Sequence, residues 1–389
     1  MPKVSPAVLS WARETAGLSL SEAAAKAQLK ATKKQTAEER LADLEAGRAE
    51  PSRPLLLRFA AAYRRPLIAF YLAKPPAEAP RIEDYRSLPE RARGPEEATL
   101  RAMVRDIQAR QELVRNLLED IEAKPRDFVG TVSIANGVAA AQARLVGILG
   151  FQLEAFRRGR TAERAFEYLR GLAERAGVFV ILAGNLGSFH TNLSVETFRG
   201  FALADPLAPF VIINDQDAKT AWSFTLLHEL VHIALGASGI SGTRAETEIE
   251  RFCNEVASGI LLPPNELAQF DLGDGDLVEI RRRIGAFAGG RVLSSSLVAY
   301  RLFLAGTITR ADWETLARQF AEDFRASRDT RPTKGQPNYY VVRRHRLGAA
   351  LLKLVQLSLE EGLVTPTRAG KVLGVKPRNV STLLDERVA

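Results

Sequence analysis

The chain has 389 residues, 46% hydrophobic and 26% charged, ordinary proportions for a globular protein of two or three domains that bury their own cores. A single cysteine, Cys253, excludes an internal disulfide and fits a reducing cytoplasm. The formal charge of +8 and the pI near 9.7 favour contact with a polyanion without identifying one.

The start, MPKVSPAVLSWARE, lacks a basic stretch followed by an apolar run, so no secretory signal is expected. Residues 1–75 read as five short helices. SPAVLSWARETAG carries apolar residues at helical spacing and stops at Gly17. SLSEAAAKAQL opens on a capping box of Ser19 and Glu22, and TAEERLADLEAG on another of Thr36 and Glu39 before stopping at Gly47. Two more helices are expected in RPLLLRFAAAYRRPLIAFYLAKPP, divided at Pro66. Arg58, Arg64, Arg65 and Pro66 exclude this stretch as a membrane span.

Five short helices with a turn between the second and third is the layout of a helix-turn-helix domain. The third helix is a poor reader of DNA, because Glu38, Glu39, Asp43 and Glu45 outnumber Arg40 where phosphates would lie. Lys30, Lys33 and Lys34, in a connecting segment longer than the usual tight turn, are the candidates there for backbone contact.

Residues 76–132 combine a connector rich in proline and charge with TLRAMVRDIQARQELVRNLLEDIEA. Leu100, Met103, Ile107, Val114, Leu117 and Ile121 fall on a heptad interrupted at Arg110. A long amphipathic helix follows, read as packing on a neighbouring domain in preference to a dimer seam, with a dimer left open.

Residues 133–270 begin with helical patterns in AAAQARLVGILG and AERAFEYLRGLAERAG. Three β-rich runs come next, VFVILA, FRGFALA and FVIIN, bounded by Gly, Asn and Asp. FTLLHELVHIALG is then a helix that is apolar on nearly every side, and the helix in AETEIERFCNEVASGILLPP ends near Leu262, before Pro263 and Pro264. Residues 271–327 read as a helical extension and 328–389 as a basic helical region. The expected fold is α+β and mostly helical, the small sheet lying in the 133–270 domain.

The apolar helix carries one polar stripe: Thr225, His228, Glu229 and His232. Unpaired polar groups are costly in a core, so something must satisfy them. Two histidines four apart project from one helical face with Cβ atoms about 5–6 Å apart, a spacing that lets two imidazole nitrogens meet one zinc ion. Glu229, turned about 100° from His228, is free to take a proton from a water on that ion. Core histidines satisfied by backbone carbonyls are the bland alternative.

A catalytic zinc usually takes three protein ligands. The next helix offers Glu246, Glu248 and Glu250. Ile249, Phe252, Val256 and Ile260 mark its buried side, and Glu250, Cys253, Asn254 and Ala257 form an adjacent strip able to face the metal, so Glu250 is the expected third ligand.

The stretch from FRGFALADPLAPFVIINDQDAKTAWSFTLLHELVHIALG through EIERFCNEVASGILLP closely resembles the ImmA/IrrE-type metallopeptidases, most strongly from Glu196 to Pro264. An N-terminal XRE-type helix-turn-helix domain and a basic C-terminal segment extend the likeness. The resemblance implies a zincin-like fold, with zinc on His228, His232 and Glu250, Asn254 at the matching Asn position, and Glu229 as general base. It also implies cleavage of a helix-turn-helix repressor, which switches on stress-response, defence or mobile-element genes. Cys253 is expected to pack inertly, with oxidation or metal binding as the alternative. His190 is a candidate oxyanion donor, though a surface position is the preferred reading. Asp215 and Asp217 are expected to cap the metal helix in preference to orienting a ligand.

From Arg328 onward the sequence holds 12 basic and 5 acidic residues, a surplus of 7 that accounts for most of the chain's charge. TRAGKVLGVKPRNVSTLL resembles a second helix-turn-helix with Gly370, Gly374 and Val380 at fitting offsets and with Arg368, Lys371, Lys376 and Arg378 exposed; a solvated basic lid is the other reading. The combined expectation is a cytoplasmic zinc endopeptidase of regulatory purpose, without membrane contact. Its substrate is a repressor, and DNA is a candidate trigger, bound weakly and with single strands included. The rival is a DNA-binding regulator or antitoxin-like protein whose peptidase domain senses or holds a partner.

Overall fold

A computed structural model of the chain describes residues 4–76, 83–84, 95–187, 191–241, 247–273, 275–329 and 338–385. They divide into two compact units, one of 1–81, 88–107 and 185–193, the other of 82–87, 108–184 and 194–389.

In the first unit, α1 (Pro6–Thr15), α2 (Leu20–Lys26), α3 (Ala37–Glu45) and α4 (Arg53–Ala62) enclose Leu9, Ala23, Leu41, Phe59 and Phe70, all fully buried. Both expected capping boxes form, Ser19 with Glu22 and Thr36 with Glu39, so each helix starts with its N-cap and N3 N–H groups satisfied. Arg13 grips both carboxylate oxygens of Glu45, at 2.8 and 2.9 Å, and ties α1 to α3. The fifth expected helix is instead a 3-10 helix of 5 residues, Leu67–Tyr71. Pro66 before it and Pro75 and Pro76 after it leave too few residues to propagate an α-helix. Residues 27–36 join α2 to α3, with Lys30, Lys33 and Lys34 exposed.

α5 (Pro95–Asp120) contributes residues to both units. Leu100, Met103, Ile107, Val114 and Leu117 of its heptad are buried within the chain, and the helix stops just short of Ile121, which is exposed. In the second unit follow α6 (Gly137–Leu149), α7 (Leu153–Arg158) and α8 (Ala162–Arg175).

The sheet comprises β1 (Glu83–Asp84), β2 (Phe179–Leu182), β3 (Gly200–Leu203), β4 (Phe210–Ile213) and β5 (Gly239–Ser241), in the order β1-β5-β3-β4-β2. β4 runs parallel to β2 and antiparallel to β3, β3 antiparallel to β5, and β1 parallel to β5. Every residue of β2, β3 and β4 is buried. Unbroken apolar runs are what strands covered on both faces require.

α9 (Lys219–Ala234) lies on β3 and β4 between α8 and α10 (Glu248–Leu261). The chain continues through α11 (Pro264–Leu267), α12 (Leu277–Arg291), α13 (Ser295–Leu304) and α14 (Arg310–Asp329). Ile284, Leu297, Val298, Leu302 and Leu316 from these helices join the same apolar core as the sheet and α9.

α15 (Tyr339–Leu347), α16 (Ala349–Glu360), α17 (Pro366–Leu373) and α18 (Val380–Leu384) complete the unit. They are fastened to it through α8. Arg170 donates to the carbonyls of His345 at 2.6 Å and Arg346 at 3.2 Å, and also to that of Val180 in β2. Glu174, 3.2 Å from Arg170, accepts from the Ala350 amide at the start of α16. Burial lifts the Glu174 carboxyl and lowers the Arg170 guanidinium, while their mutual attraction opposes both shifts. No described helix is long and apolar enough to cross a membrane.

Removing one member of such a buried pair strands the other charge. Arg170→Ala is expected to lower the unfolding free energy in urea by about 3 kcal/mol. A loss below about 0.5 kcal/mol, the size of an exposed pair, would show that the contact is not holding α15 and α16 in place.

Candidate metal centre

Leu226, Leu227, Leu230, Val231 and Ile233 are buried and fix the rotation of α9, which sets the direction of its polar stripe. His228, Glu229 and His232 are 4%, 0% and 0% exposed. On α10, Phe252, Val256 and Ile260 pack into the core and turn Glu250, 1% exposed, toward α9. Thr247 caps α10 by accepting from the Glu250 amide at 3.2 Å, so Glu250 occupies the first turn, where a helix favours negative charge.

Three side chains converge. His228 Nε2 and His232 Nε2 are 3.2 Å apart, Glu250 Oε1 is 3.0 Å from His232 Nε2, and Glu250 Oε2 is 3.3 Å from His228 Nε2. Ligands placed tetrahedrally around zinc at its usual bond lengths stand roughly 3.3 Å from one another. The donor set therefore fits such an ion in both spacing and chemistry. Burial disfavours charge on His228, but Glu250, Glu229 and Asn254 together outweigh it and raise its pKa. Burial and the repulsion of a charged His228 lower His232. The Glu250 carboxyl is raised by burial, yet the two imidazoles bring it down to about 2. An ionised carboxylate and two imidazoles within hydrogen-bonding distance suit a divalent cation.

Cys253 is fully buried beside this group, and its Sγ lies with the two imidazoles inside a 4.8 Å cluster able to hold a metal. Burial, reinforced by Glu250 and Glu229, pushes the thiol well above its ordinary range. A neutral thiol is a weaker donor than Glu250, which makes the tighter contacts and is the better third ligand. Asn254, half-buried on α10 four residues after Glu250, adds the smallest of the attractions that raise His228.

Gly200, at the start of β3, was not singled out from the sequence. A Cβ there would lie 2.7 Å from Glu229 Oε1 and 2.8 Å from the Thr225 methyl, so the carboxylate sits directly against the strand backbone. A glycine opening an otherwise apolar strand was the available signal.

The aspartates before α9 do not cap it. Its N-cap is Ala218, with no side-chain hydrogen bond. Asp215 pairs with Arg346 at 2.7 Å, and Asp217 accepts from the Ala218 amide at 2.8 Å and lies 3.9 Å from Arg199. They face arginines brought in by tertiary packing, which local spacing does not reveal. His190 and Glu246 fall outside the described residues. Lys33 and Lys34 are exposed in the first unit, and Arg368, Lys371, Lys376 and Arg378 belong to the C-terminal helices.

Residues 173–289 match the family model of the IrrE N-terminal-like domain, peptidase family M78. The match runs from the end of α8 into α12 and contains every residue of the centre. It supports a metallopeptidase of the ImmA/IrrE type for this part of the chain. No curated protein and no solved structure matches the sequence.

Two outcomes are expected. Purified protein should bind about one zinc per chain by atomic absorption, lose it on His232→Ala and keep it on Glu229→Gln; equal zinc in the His232→Ala protein would refute the ligand assignment. Gly200→Ala should displace Glu229 while leaving the metal bound, lowering kcat about a hundredfold with KM little changed. Unaltered kcat would mean that the carboxylate does not depend on this contact.

Proposed function

We propose that this protein is a zinc-dependent regulatory endopeptidase whose substrate is a transcriptional repressor of the helix-turn-helix type. The observation that carries the reading is the convergence of His228, His232 and Glu250 at 3.0–3.3 Å with Glu229 on the same face of α9. Zinc held there would polarise the scissile carbonyl and make a water acidic enough to attack it.

The chain's own residues supply the remainder. Glu229, pressed against β3 at Gly200 and fully buried, takes the proton from the attacking water and delivers it to the leaving nitrogen. The apolar walls given by α9 and the sheet keep bulk solvent from weakening these interactions.

A repressor is the substrate class favoured by the likeness to regulatory ImmA/IrrE-type peptidases and by the helical elements flanking the matched residues. Cleavage between a repressor's dimerisation and DNA-binding parts would release its operator. The test is incubation of the zinc-loaded protein with a repressor encoded beside it, followed by intact-mass analysis. A single cut that disappears with Glu229→Gln is expected. Equal digestion of unrelated unfolded proteins would argue for a general protease, and binding without cutting would favour the partner-holding alternative.

A further inference from the structure

Beyond the peptidase reading, and independently of it, we propose that α15–α18 form a duplex-DNA-binding unit that contacts phosphates through Arg368, Lys371, Lys376 and Arg378. α17 is followed by Gly374 in the left-handed conformation, then by a 3-10 turn at Pro377–Asn379 that runs directly into α18. The two helices meet closely. A Cβ on Gly370 would fall 2.8 Å from the Val375 carbonyl oxygen and 3.3 Å from the Pro377 nitrogen, so the turn fits against α17 only at glycine. Ala369, Val372, Leu373, Val380 and Leu383 are buried in this small unit, with Leu351 and Val355 of the preceding α16. Two short helices fixed across a tight turn and backed by a third make a helix-turn-helix, which presents its second helix to the major groove.

The distribution of charge separates structural from available cations. Arg343 donates to the Leu373 and Gly374 carbonyls at 2.7 and 3.0 Å and closes the C-terminal end of α17. Arg344 donates to the Leu383 carbonyl at 2.6 Å and does the same for α18. Arg346 is occupied by Asp215 at 2.7 Å. Lys371, Lys376 and Arg378 are exposed and Arg368 half-exposed, and none of the four has an ion pair among the described residues.

Arg368 and Lys371 are three residues apart on α17 and share a side, while Lys376 and Arg378 flank the start of the second helix. Helix and turn are where such a motif meets the DNA backbone. The exposed or half-exposed polar side chains of the 3-10 turn and the second helix are Arg378, Asn379, Ser381 and Thr382, beside the half-exposed Leu384. With a single guanidinium among short polar groups, affinity should rest mainly on phosphates and sequence preference should be modest.

Fluorescence anisotropy of a labelled 30-base-pair duplex with the full chain tests this, using Lys371→Gln, Lys376→Gln and Arg378→Gln combined. These are surface changes, and an unchanged melting temperature checks the fold. The triple variant should bind at least about tenfold more weakly at about 100 mM salt, with the slope of log K against log salt reduced by roughly 3. Lys33→Gln with Lys34→Gln should leave the affinity within about twofold. Three results would overturn the proposal: no duplex binding by the parent at about 50 mM salt, an undiminished triple variant, or tighter binding to single strands than to duplex.

Discussion

The structure is organised around one electrostatic constraint: two imidazoles of α9 and a carboxylate of α10 at the centre of an apolar core, with a second carboxylate, Glu229, next to His228 on α9. Isolated, each group would be costly to bury. Brought within 3.3 Å of one another, the two imidazoles and Glu250 form a set suited to a cation. The fully apolar strands, the caps on α10 and the glycine at position 200 all serve that placement. The sheet backs α9, α10 brings Glu250 to the imidazoles, and the missing Cβ lets Glu229 rest on the strand.

A second theme is the use of arginine as a structural donor. Helices end in carbonyls that lack partners, and a guanidinium can satisfy two at once. Arg157 reaches the Leu261 carbonyl at the end of α10 and the Arg291 carbonyl at the end of α12; Arg343 and Arg344 close α17 and α18; Arg170 spans β2 and the last turn of α15. The high formal charge is thus partly an architectural quantity.

What could be read from the sequence was local. The two histidines follow from helical spacing, Glu250 from the facing of α10, the three longer strands from their apolar runs, and the N-terminal capping boxes from offsets of three. What escaped depended on residues distant in the chain. Arg170 and Glu174 look like an exposed i,i+4 pair and become buried only because the C-terminal helices dock on α8. Asp215 sits where a cap would be expected, yet its partner is Arg346, 131 positions on. Gly200 gains its meaning from Glu229 on another element. β1 and β5, two and three residues long, are too short for any alternation to show.

The sheet itself is bounded by material from outside the family-matched residues. β1 lies along β5 on one side, and α15 packs against β2 on the other, while the match spans only 173–289. Unpaired outer strands are templates for intermolecular pairing. A fragment trimmed to the recognisable catalytic region would therefore lose its guards on both flanks and tend to form oligomers through strand addition. For this chain the unit that completes the sheet is therefore larger than the unit of homology.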